Sequence, residues 1–315
     1  MLWRGLLTVA VVVVAVGGAI GFLGRIHPAF DSFSHFRHHA ALAGGVLAVV
    51  ALVLLRGRAR FLAISALALA VICALSVRPF FFGANHHAIA ASAAERTLLQ
   101  MNLFRVSDHG PAQRLVERLT PDIITLQEVS DSGKAMMADL AGLYPHQELC
   151  IDGNDYGIAI LSQHPFAPTP ATCEPLLGFV NRTVLMDGEP ISVVSQHIQP
   201  PWPYGQADTL RELQHVLPTL EPPLIVGGDF NAAPWSAALS RYGKWSRTRP
   251  VEGIGGTWTH FLMPAALVPV FGLPIDNIFV SEGIDVVGAQ TLEPTASDHL
   301  PILLQFTRSK DARLQ

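Results

Sequence analysis

The pattern of apolar and polar positions divides the chain into two parts. In residues 1–96, long apolar runs alternate with short connections that carry arginine. From residue 97 onward, apolar runs of strand length alternate with segments of helical periodicity. The first pattern is typical of membrane helices and the second of a globular domain that contains sheets. We predict a three-helix transmembrane anchor over residues 1–79, a linker over 80–96, a globular domain over 97–308 and a tail over 309–315.

Three apolar runs, at residues 6–23, 40–55 and 61–77, predict the membrane helices. The second and third have 16 and 17 residues, whereas about 20 residues span a bilayer. A helical hairpin that does not fully span therefore stays open beside full spanning. Arg4, ahead of the first run, also fits a signal peptide, but no small-residue cleavage site follows that run.

The arginines between the runs predict the orientation of the anchor. Arg56, Arg58 and Arg60 fall in the connection between the second and third runs, which the positive-inside rule places in the cytoplasm. Arg25 and Arg37 lie in the other connection and reduce the bias. The prediction is a multi-pass protein of a bacterial inner membrane, with its globular domain in the periplasm or otherwise outside the cytoplasm.

The globular part is long enough for a core between two sheets. Its apolar strands alternate with helical segments, and several strands follow one another without a helix between them. We therefore predict an α+β/α/β four-layer sandwich, that is, two packed mixed β-sheets flanked by helices, preceded by an all-α transmembrane region. Cys150 and Cys173 would pair in an oxidising periplasm and stay free thiols in a cytoplasm.

Polar side chains suited to metal binding or acid–base chemistry follow or interrupt these apolar strands. Asp229 and Asn231 follow the apolar residues 223–226, and at a spacing of two they face the same way on an extended backbone. Each such residue alone has an ordinary structural explanation, such as a turn or a helix cap. Together, in apolar surroundings, they indicate a site. The remaining candidates are Asn102, Glu128, Arg182, His197, Asp276, Asp298 and His299.

The order of these motifs resembles a known family. The motifs are Asn102, Gln127-Glu128, Gly228-Asp229-Phe230-Asn231, Ile275-Asp276-Asn277-Ile278 and Ser297-Asp298-His299. In this order the chain resembles the endonuclease/exonuclease/phosphatase superfamily, with its pancreatic-deoxyribonuclease-like fold, over roughly residues 98–306. The resemblance implies a metal-dependent phosphoric ester hydrolase.

The resemblance also implies roles for the residues. Glu128 and Asp298 would hold a divalent metal with help from Asn102, while Asp229 and Asn231 align the attacking water and the phosphate. The family's two histidines and an arginine are matched by His299, His197 and Arg182, the last by its position between two strands alone. The abasic-site repair nucleases of the family carry a metal-binding Asp where this chain has Phe104, which disfavours a repair enzyme.

Hydrolysis of a phosphate ester needs a Lewis acid, a base for water and stabilisation of the leaving oxygen. Carboxylates and carboxamides favour Mg²⁺ or Mn²⁺, and no His or Cys cluster has zinc spacing. His299 would act as general base or bond the phosphate, with Asp276 fixing its tautomer. The base is left open between Asp229 and His299. The phosphoryl oxygens would receive hydrogen bonds from Asn231, His197 and Arg182.

Charge bears on the choice of substrate. The chain has 21 basic and 25 acidic residues, of which residues 97–315 hold 13 and 23, a formal net of 13 minus 23, or −10. An acidic domain is a poor binder of polyanions, although a basic strip is present at Arg241, Lys244, Arg247 and Arg249. Trp202, Trp235, Trp245 and Trp258 fall in predicted loops, where stacking on a base, entry into a lipid headgroup layer and core packing all stay open.

Three functions fit the sequence. The favoured one is a membrane-anchored phosphoesterase that cleaves a phosphodiester, either a lipid headgroup or a small phosphate, outside the cytoplasm. The second is a membrane-tethered nuclease outside the cytoplasm. The acidic charge disfavours nucleic acid as a partner but does not exclude it. The third is a catalytically silent binding module, which need not have kept both acids and both histidines. The anchor implies the lipid bilayer as a partner, and the oligomeric state is not predicted.

Overall fold

The N-terminal part of the chain forms three long helices and a short one. The computed structural model describes residues 2–83, 95–104, 108–153, 156–258 and 263–309. Its first helices are α1 (Leu2–Ile20), α2 (Pro28–Ser34), α3 (Arg37–Leu54) and α4 (Arg58–Phe82). At 1.5 Å per residue, α3 is about 27 Å long and α4 about 37 Å, because α3 begins before its predicted apolar run and α4 extends beyond both ends of its run. All three long helices are long and apolar enough to cross a membrane.

Side chains in this N-terminal helical region (residues 2–83) are placed differently from those of a water-soluble core. Small residues lie where the helices meet, and Ala48 and Ala63 are fully buried. Large apolar residues point outward, and Val53 and Leu75 are 77% and 63% exposed. Close helix contact through small residues, with large apolar residues outside, is the arrangement that a lipid environment favours.

The rest of the chain forms two six-stranded sheets. Among the described residues, the order in the first sheet is β11-β12-β1-β2-β4-β3 and in the second β5-β6-β7-β8-β10-β9. The strands are β1 (Arg96–Asn102), β2 (Ile123–Val129), β3 (His146–Cys150), β4 (Gly157–Ser162), β5 (Thr172–Glu174), β6 (Phe179–Met186), β7 (Glu189–His197), β8 (Leu224–Asp229), β9 (Thr248–Pro250), β10 (Asp276–Ser281), β11 (Ile284–Thr291) and β12 (Ile302–Arg308). The helices are α5 (Gly110–Leu119), α6 (Asp131–Asp139), α7 (Gln206–Val216), α8 (Ala237–Ser246) and α9 (Val268–Phe271).

The two sheets pack face to face and helices cover their outer faces. Leu98 and Ile123 of the first sheet share one buried cluster with Val193 and Ile225 of the second. Buried residues of α5 and α6 join the outer face of the first sheet, and those of α7 and α8 join the outer face of the second. The predicted four-layer sandwich is confirmed.

Strand direction brings the strand-end polar residues to one edge of the sandwich. β1 and β2 run parallel, as do β7 and β8, whereas β10 runs antiparallel to β8. In this register His197 pairs with Asp229, and Asp229 pairs with Asp276. Asn102 lies opposite Gln127 on the other sheet. The carboxyl ends of four strands and the amino end of a fifth therefore meet.

A disulfide joins Cys150 to Cys173, with their Cα atoms 5.6 Å apart. Cys150 ends β3 and Cys173 lies in β5, and these are edge strands of different sheets. The bond therefore connects the two sheets at one side of the sandwich.

The predicted domain limits stay a prediction. The strands run from Arg96 to Arg308, and α4 ends at Phe82. Most of the predicted linker falls on residues 84–94, and most of the predicted tail on residues 310–315, both of which lie outside the described residues.

Candidate active site

The structure brings eight of the nine predicted site residues to the edge where the strand ends meet. The second sheet supplies residues from β7, β8 and β10, and the first sheet supplies residues from β1, β2 and the segment that leads into β12. The eight residues are Asn102, Glu128, His197, Asp229, Asn231, Asp276, Asp298 and His299.

Asp229 is the centre of the cluster and is 2% exposed. Its Oδ2 accepts a hydrogen bond from Asn102 Nδ2 at 3.0 Å, and its Oδ1 accepts one from the backbone N–H of Asn231 at 2.8 Å. His197 Nε2 and His299 Nε2 lie 3.7 Å and 3.9 Å from the same Oδ2. One buried carboxylate therefore contacts an amide donor and faces two imidazoles.

The backbone holds two of these residues in uncommon conformations. Glu128 has φ +53° and Asn231 has φ +48°, both in the left-handed region. Such conformations cost about 1–3 kcal/mol each and often occur at functional sites. Next to Asp229, a Cβ on Gly228 would lie 2.0 Å from the carbonyl oxygen of Gln196, so only glycine allows β8 this close to β7.

His299 and Asp276 form a buried pair. Asp276 Oδ2 accepts a hydrogen bond from His299 Nδ1 at 2.8 Å, and Asp276 Oδ1 accepts one from Gln100 Nε2 at 3.2 Å. Asp276 is fully buried and His299 is 5% exposed. Because Nδ1 donates to Asp276, Nε2 is the ring nitrogen that faces Asp229.

Charge and burial shift the pKa values of this cluster. Burial opposes the charged form of His299, but the carboxylates of Asp276 and Asp229 outweigh it and hold the pKa of the imidazole above its ordinary value. Burial raises the pKa of Asp229, against the opposing charge of His299. Both pKa shifts favour the protonated forms of the two groups.

Gln100 is a supporting residue of the site that the sequence analysis did not predict. Besides Asp276, its Nε2 bonds Gln127 Oε1 at 2.8 Å, and Gln127 Nε2 in turn bonds Ser195 Oγ at 2.9 Å. This buried chain of amides links β1, β2, β7 and β10 behind the His299–Asp276 pair. The signal was an amide two residues before Asn102, on the same face of an otherwise apolar strand.

Asp298 has one engaged and one unengaged carboxylate oxygen. Oδ2 accepts a hydrogen bond from Trp258 Nε1 at 2.8 Å, and the sequence analysis did not predict this contact. Oδ1 is buried without a hydrogen-bond donor among the described residues and lies 3.8 Å from His299 Nε2. A buried carboxylate oxygen without a donor is costly unless a cation or proton meets it, which fits a metal site.

The donors at this edge fit a hard divalent cation. Ligand atoms of Glu128, His197 and Asp229 lie within 4.8 Å of one another. Carboxylate oxygens here and on Asp298 suit Mg²⁺ or Mn²⁺. Asn102 instead offers its NH₂ to Glu128 Oε1 at 3.2 Å, while its amide oxygen accepts from the backbone N–H of Phe104. Ligand atoms of a second group, Asp229, Asp276 and His299, also lie within 4.8 Å of one another, but His299 and Asp276 are hydrogen-bonded to each other as a His–Asp pair.

Arg182 is not part of this cluster, contrary to the expectation. It pairs with Val193 on β7, four residues before His197, which is about 13 Å along a strand. Its guanidinium carbon lies 4.5 Å above the Phe166 ring, and Nη1 donates to the carbonyl oxygen of Thr169 at 3.0 Å. A position between two strands does not fix how far along a strand a side chain lies.

The end of the basic strip also lies away from the site. Arg249 of β9 pairs with Val280, at the opposite end of β10 from Asp276. Arg241 and Lys244 lie on α8, and Arg247 directly follows it. Arg249, and Arg247 just before β9, therefore lie away from the edge that carries Asp229.

The four tryptophans have separate environments. Trp258 bonds Asp298, Trp245 packs against the core outside the second sheet, and Trp202 is 53% exposed in the loop after β7. Trp235 donates from Nε1 to the carbonyl oxygen of Ser34 at 2.6 Å, so it joins the sandwich to the N-terminal helical region.

The sequence matches a described family over most of this fold. A family model described as the Endonuclease/Exonuclease/phosphatase family matches residues 90–299. Two UPF0294 proteins of Vibrio vulnificus, from strains CMCP6 and YJ016, are each 29% identical over 140 residues, or 44% of this chain. The match spans 46% of each relative, so the chain covers about half the length of these curated relatives.

Solved structures with the same fold include enzymes of several kinds. An endonuclease/exonuclease/phosphatase from Beutenbergia cavernae has a TM-score of 0.56 at 18% identity, covering 69% of this chain and 72% of that one. D. rerio TDP2 with a single-strand DNA product gives 0.54 at 17%, covering 68% and 99%. Sphingomyelinase C from Streptomyces griseocarneus gives 0.52 at 16%, covering 67% and 99%. At such identities the likeness shows the shared fold.

Proposed function

We propose, because the chain belongs to the endonuclease/exonuclease/phosphatase family, that this phosphoester hydrolase is anchored in a membrane and cleaves a phosphodiester outside the cytoplasm. One observation carries the proposal for the site. Asp229 contacts Asn102 and Asn231 and faces both His197 and His299, while Asp276 holds His299 from behind. This arrangement supplies groups for a proton acceptor, a proton donor and the phosphoryl oxygens at one edge.

The geometry suggests a division of roles. Water attacks phosphorus and the ester P–O bond breaks; Asp229 accepts the proton of the water and His299 Nε2 gives a proton to the departing oxygen. Asp276 holds His299 through Nδ1 at 2.8 Å and supports its charged form. His197 is partly exposed beside Glu128 and Asp229, so we assign it, with Asn231, to the phosphoryl oxygens.

A divalent metal fits the acidic side of the site. Glu128 and Asp298 would hold Mg²⁺ or Mn²⁺, and Asn102 would keep the carboxylates of Glu128 and Asp229 in place. When bound, such an ion withdraws charge from the phosphoryl oxygens. Arg182 is given no role, because its guanidinium contacts Phe166 and Thr169 and it pairs with Val193, four residues before His197.

The charge distribution supports a substrate other than nucleic acid. The part of the chain from residue 97 carries a formal net of 13 minus 23, or −10, and Arg249 of its basic strip lies at the opposite end of β10 from Asp276. A phosphodiester in a lipid headgroup or a small molecule needs no long basic groove. The DNA-bound TDP2 structure shares the fold and keeps the tethered nuclease as the second candidate.

The contacts of the N-terminal helical region support the proposed orientation. His39 Nε2 bonds the carbonyl oxygen of Phe271, and the backbone N–H of Gly253 donates to that of Pro79. The connection between α1 and α3 and the end of α4 therefore lie beside the sandwich, as three membrane passes require. The connection with Arg56, Arg58 and Arg60 lies at the other end of the helices, where the positive-inside rule places the cytoplasm.

The disulfide provides a test of location. In native membranes we expect the Cys150–Cys173 bond to be intact, because an oxidising compartment preserves it. Protein denatured without reductant in the presence of an alkylating reagent should then show a single alkylated cysteine, Cys73, by mass spectrometry. After reduction all three should react. Alkylation of Cys150 and Cys173 before reduction would contradict the extracytoplasmic location.

The function itself is tested with the purified full-length protein in lipid nanodiscs. We expect cleavage of bis(4-nitrophenyl) phosphate and of at least one phosphodiester lipid with Mg²⁺ or Mn²⁺, and none with EDTA, because the site needs a cation beside Glu128 and Asp298. Single- and double-stranded DNA and RNA should be cleaved more slowly. Faster cleavage of nucleic acid would favour the tethered nuclease, and no cleavage with any metal would favour the silent module.

A further inference from the structure

Asp31, in the short helix α2, reaches across to the sandwich. Its Oδ1 accepts a hydrogen bond from the backbone N–H of Ala237 at 2.9 Å, and its Oδ2 accepts one from that of Ala238 at 2.8 Å. Asp31 is 4% exposed. Its carboxylate therefore lies buried at the start of α8, which follows Asp31 by more than 200 residues in the sequence.

The start of α8 needs this carboxylate. The first N–H groups of a helix have no partner within the helix, and its N-terminus attracts negative charge. Ser236 caps only one of them, since its Oγ accepts from the backbone N–H of Leu239 at 3.1 Å. Asp31 satisfies the N–H groups of Ala237 and Ala238. The position is also tightly enclosed, because a Cβ on Gly24 would lie 2.3 Å from Asp31 Oδ1.

The segment before α8 carries a site residue. Asn231 is five residues before Ser236, and the chain between them is held closely: Asn277 Nδ2 bonds the carbonyl oxygen of Ala232 at 3.0 Å, and the N–H of Ser236 bonds that of Ala233. Trp235 in this segment donates to Ser34, the last residue of α2. The loop from Asn231 to α8 is thus fixed at one end by Asp229 and at the other by α2.

A second loop of the site rests on the same helical region. The N–H groups of Gly253 and Gly255 donate to the carbonyl oxygens of Pro79 and Phe80 at the end of α4. Two residues further on, Thr257 Oγ1 accepts from the N–H of Asp276 at 3.1 Å. The next residue along the chain, Trp258, bonds Asp298. Two separate parts of the helical region therefore contact loops that hold site residues.

We infer that α2 and the end of α4 are a structural part of the active site and that Asp31 is a positioning residue, which sets the placement of Asn231 through α8. This inference rests on the proposed function for its kinetic consequence. Its structural consequence is independent of that function. A catalytic domain cut from its helices would lose the partners of Ala237, Ala238 and Gly253, so an isolated domain is expected to be a poorer enzyme than the full chain.

The test compares Asp31→Ala and Asp31→Asn with the wild-type full chain in nanodiscs. In Asp31→Ala we expect amide hydrogen exchange at Ala237 and Ala238 to rise at least about 10-fold, because two buried donors lose their acceptors. kcat for bis(4-nitrophenyl) phosphate should fall about 10- to 100-fold with little change in KM, since a small displacement of a positioning group mainly affects the transition state. Asp31→Asn keeps one acceptor oxygen and should be intermediate.

Val11→Ala is the matched control, because Val11 is 4% exposed within the same helical region and packs in the cluster with Ala48 and Ala63. It should leave exchange at Ala237 and kcat within about twofold of wild type. Unchanged exchange in Asp31→Ala overturns the inference. Raised exchange with unchanged kcat also overturns it, because Asp31 would then hold the helix without positioning the site. A wild-type protein without phosphodiesterase activity refutes the proposed function alone, and the exchange result still decides the structural part.

Discussion

Asp229→Asn is expected to lower kcat/KM for a phosphodiester about 10³- to 10⁴-fold, near the upper end of what an acid–base group contributes. Asp229 is the residue that Asn102 and Asn231 bond and that both His197 and His299 face. An amide in its place loses the charge that accepts a proton. It must also turn its own NH₂ either toward the NH₂ of Asn102 or toward the backbone N–H of Asn231, so one donor loses its acceptor.

The measurement is steady-state hydrolysis of bis(4-nitrophenyl) phosphate by the full-length protein, with a thermal unfolding curve for each variant. Asp208→Asn is the matched control, because that carboxylate is 77% exposed and forms only a surface pair with Arg211. It should retain wild-type turnover. A folded Asp229→Asn protein with more than one-tenth of the wild-type kcat/KM would refute the role assigned to Asp229.

Asp276→Asn is expected to reduce kcat about 10²- to 10⁴-fold, because it removes the carboxylate that fixes the tautomer and supports the charge of a catalytic histidine. Asp276 is fully buried, with one oxygen on His299 Nδ1 and the other on Gln100 Nε2. The carboxylates of Asp276 and Asp229 raise the pKa of His299 against the effect of burial. Loss of the nearer charge should therefore lower that pKa.

The pKa of His299 is measured by NMR titration of the ring in the metal-free protein with a chelator present. Wild type should titrate above the ordinary histidine range, and Asp276→Asn should titrate lower. Asp285→Asn is the control, because Asp285 is exposed on β11. Equal His299 titration in wild type and Asp276→Asn would contradict the electrostatic account.

The pattern of apolar and polar positions predicted much of the candidate site, because a polar residue at the end of an apolar run is easily recognised. Asp229 and Asn102 each end a buried strand and Glu128 is the last residue but one of another, and strand ends at one edge of an α/β sheet form sites. Their mutual distances came only with the strand order, in which β7 and β8 are parallel and β10 returns antiparallel. Local sequence does not encode that pairing.

Arg182 and Gln100 show where the local signal ends. Both are polar residues within strands, and the sequence favoured Arg182 by position alone. The register places Arg182 beside Val193, away from His197, and places Gln100 behind the His299–Asp276 pair. Where a side chain lies relative to the site depends on the register between its strand and the partner strand. Only that register shows that Gln100 contacts the site and that Arg182 does not.

By itself the sequence determined the four-layer fold, the family and most residues of the candidate site, because periodicity, strand ends and motif order are local properties. It also predicted three apolar membrane helices, whereas the structure showed that the second and third are long enough to cross a membrane. Only the tertiary structure decided that Gln100 supports Asp276, that Trp258 bonds Asp298 and that Asp31 caps α8. Each of these contacts joins residues far apart in the chain, and such contacts form only when packing brings two elements together.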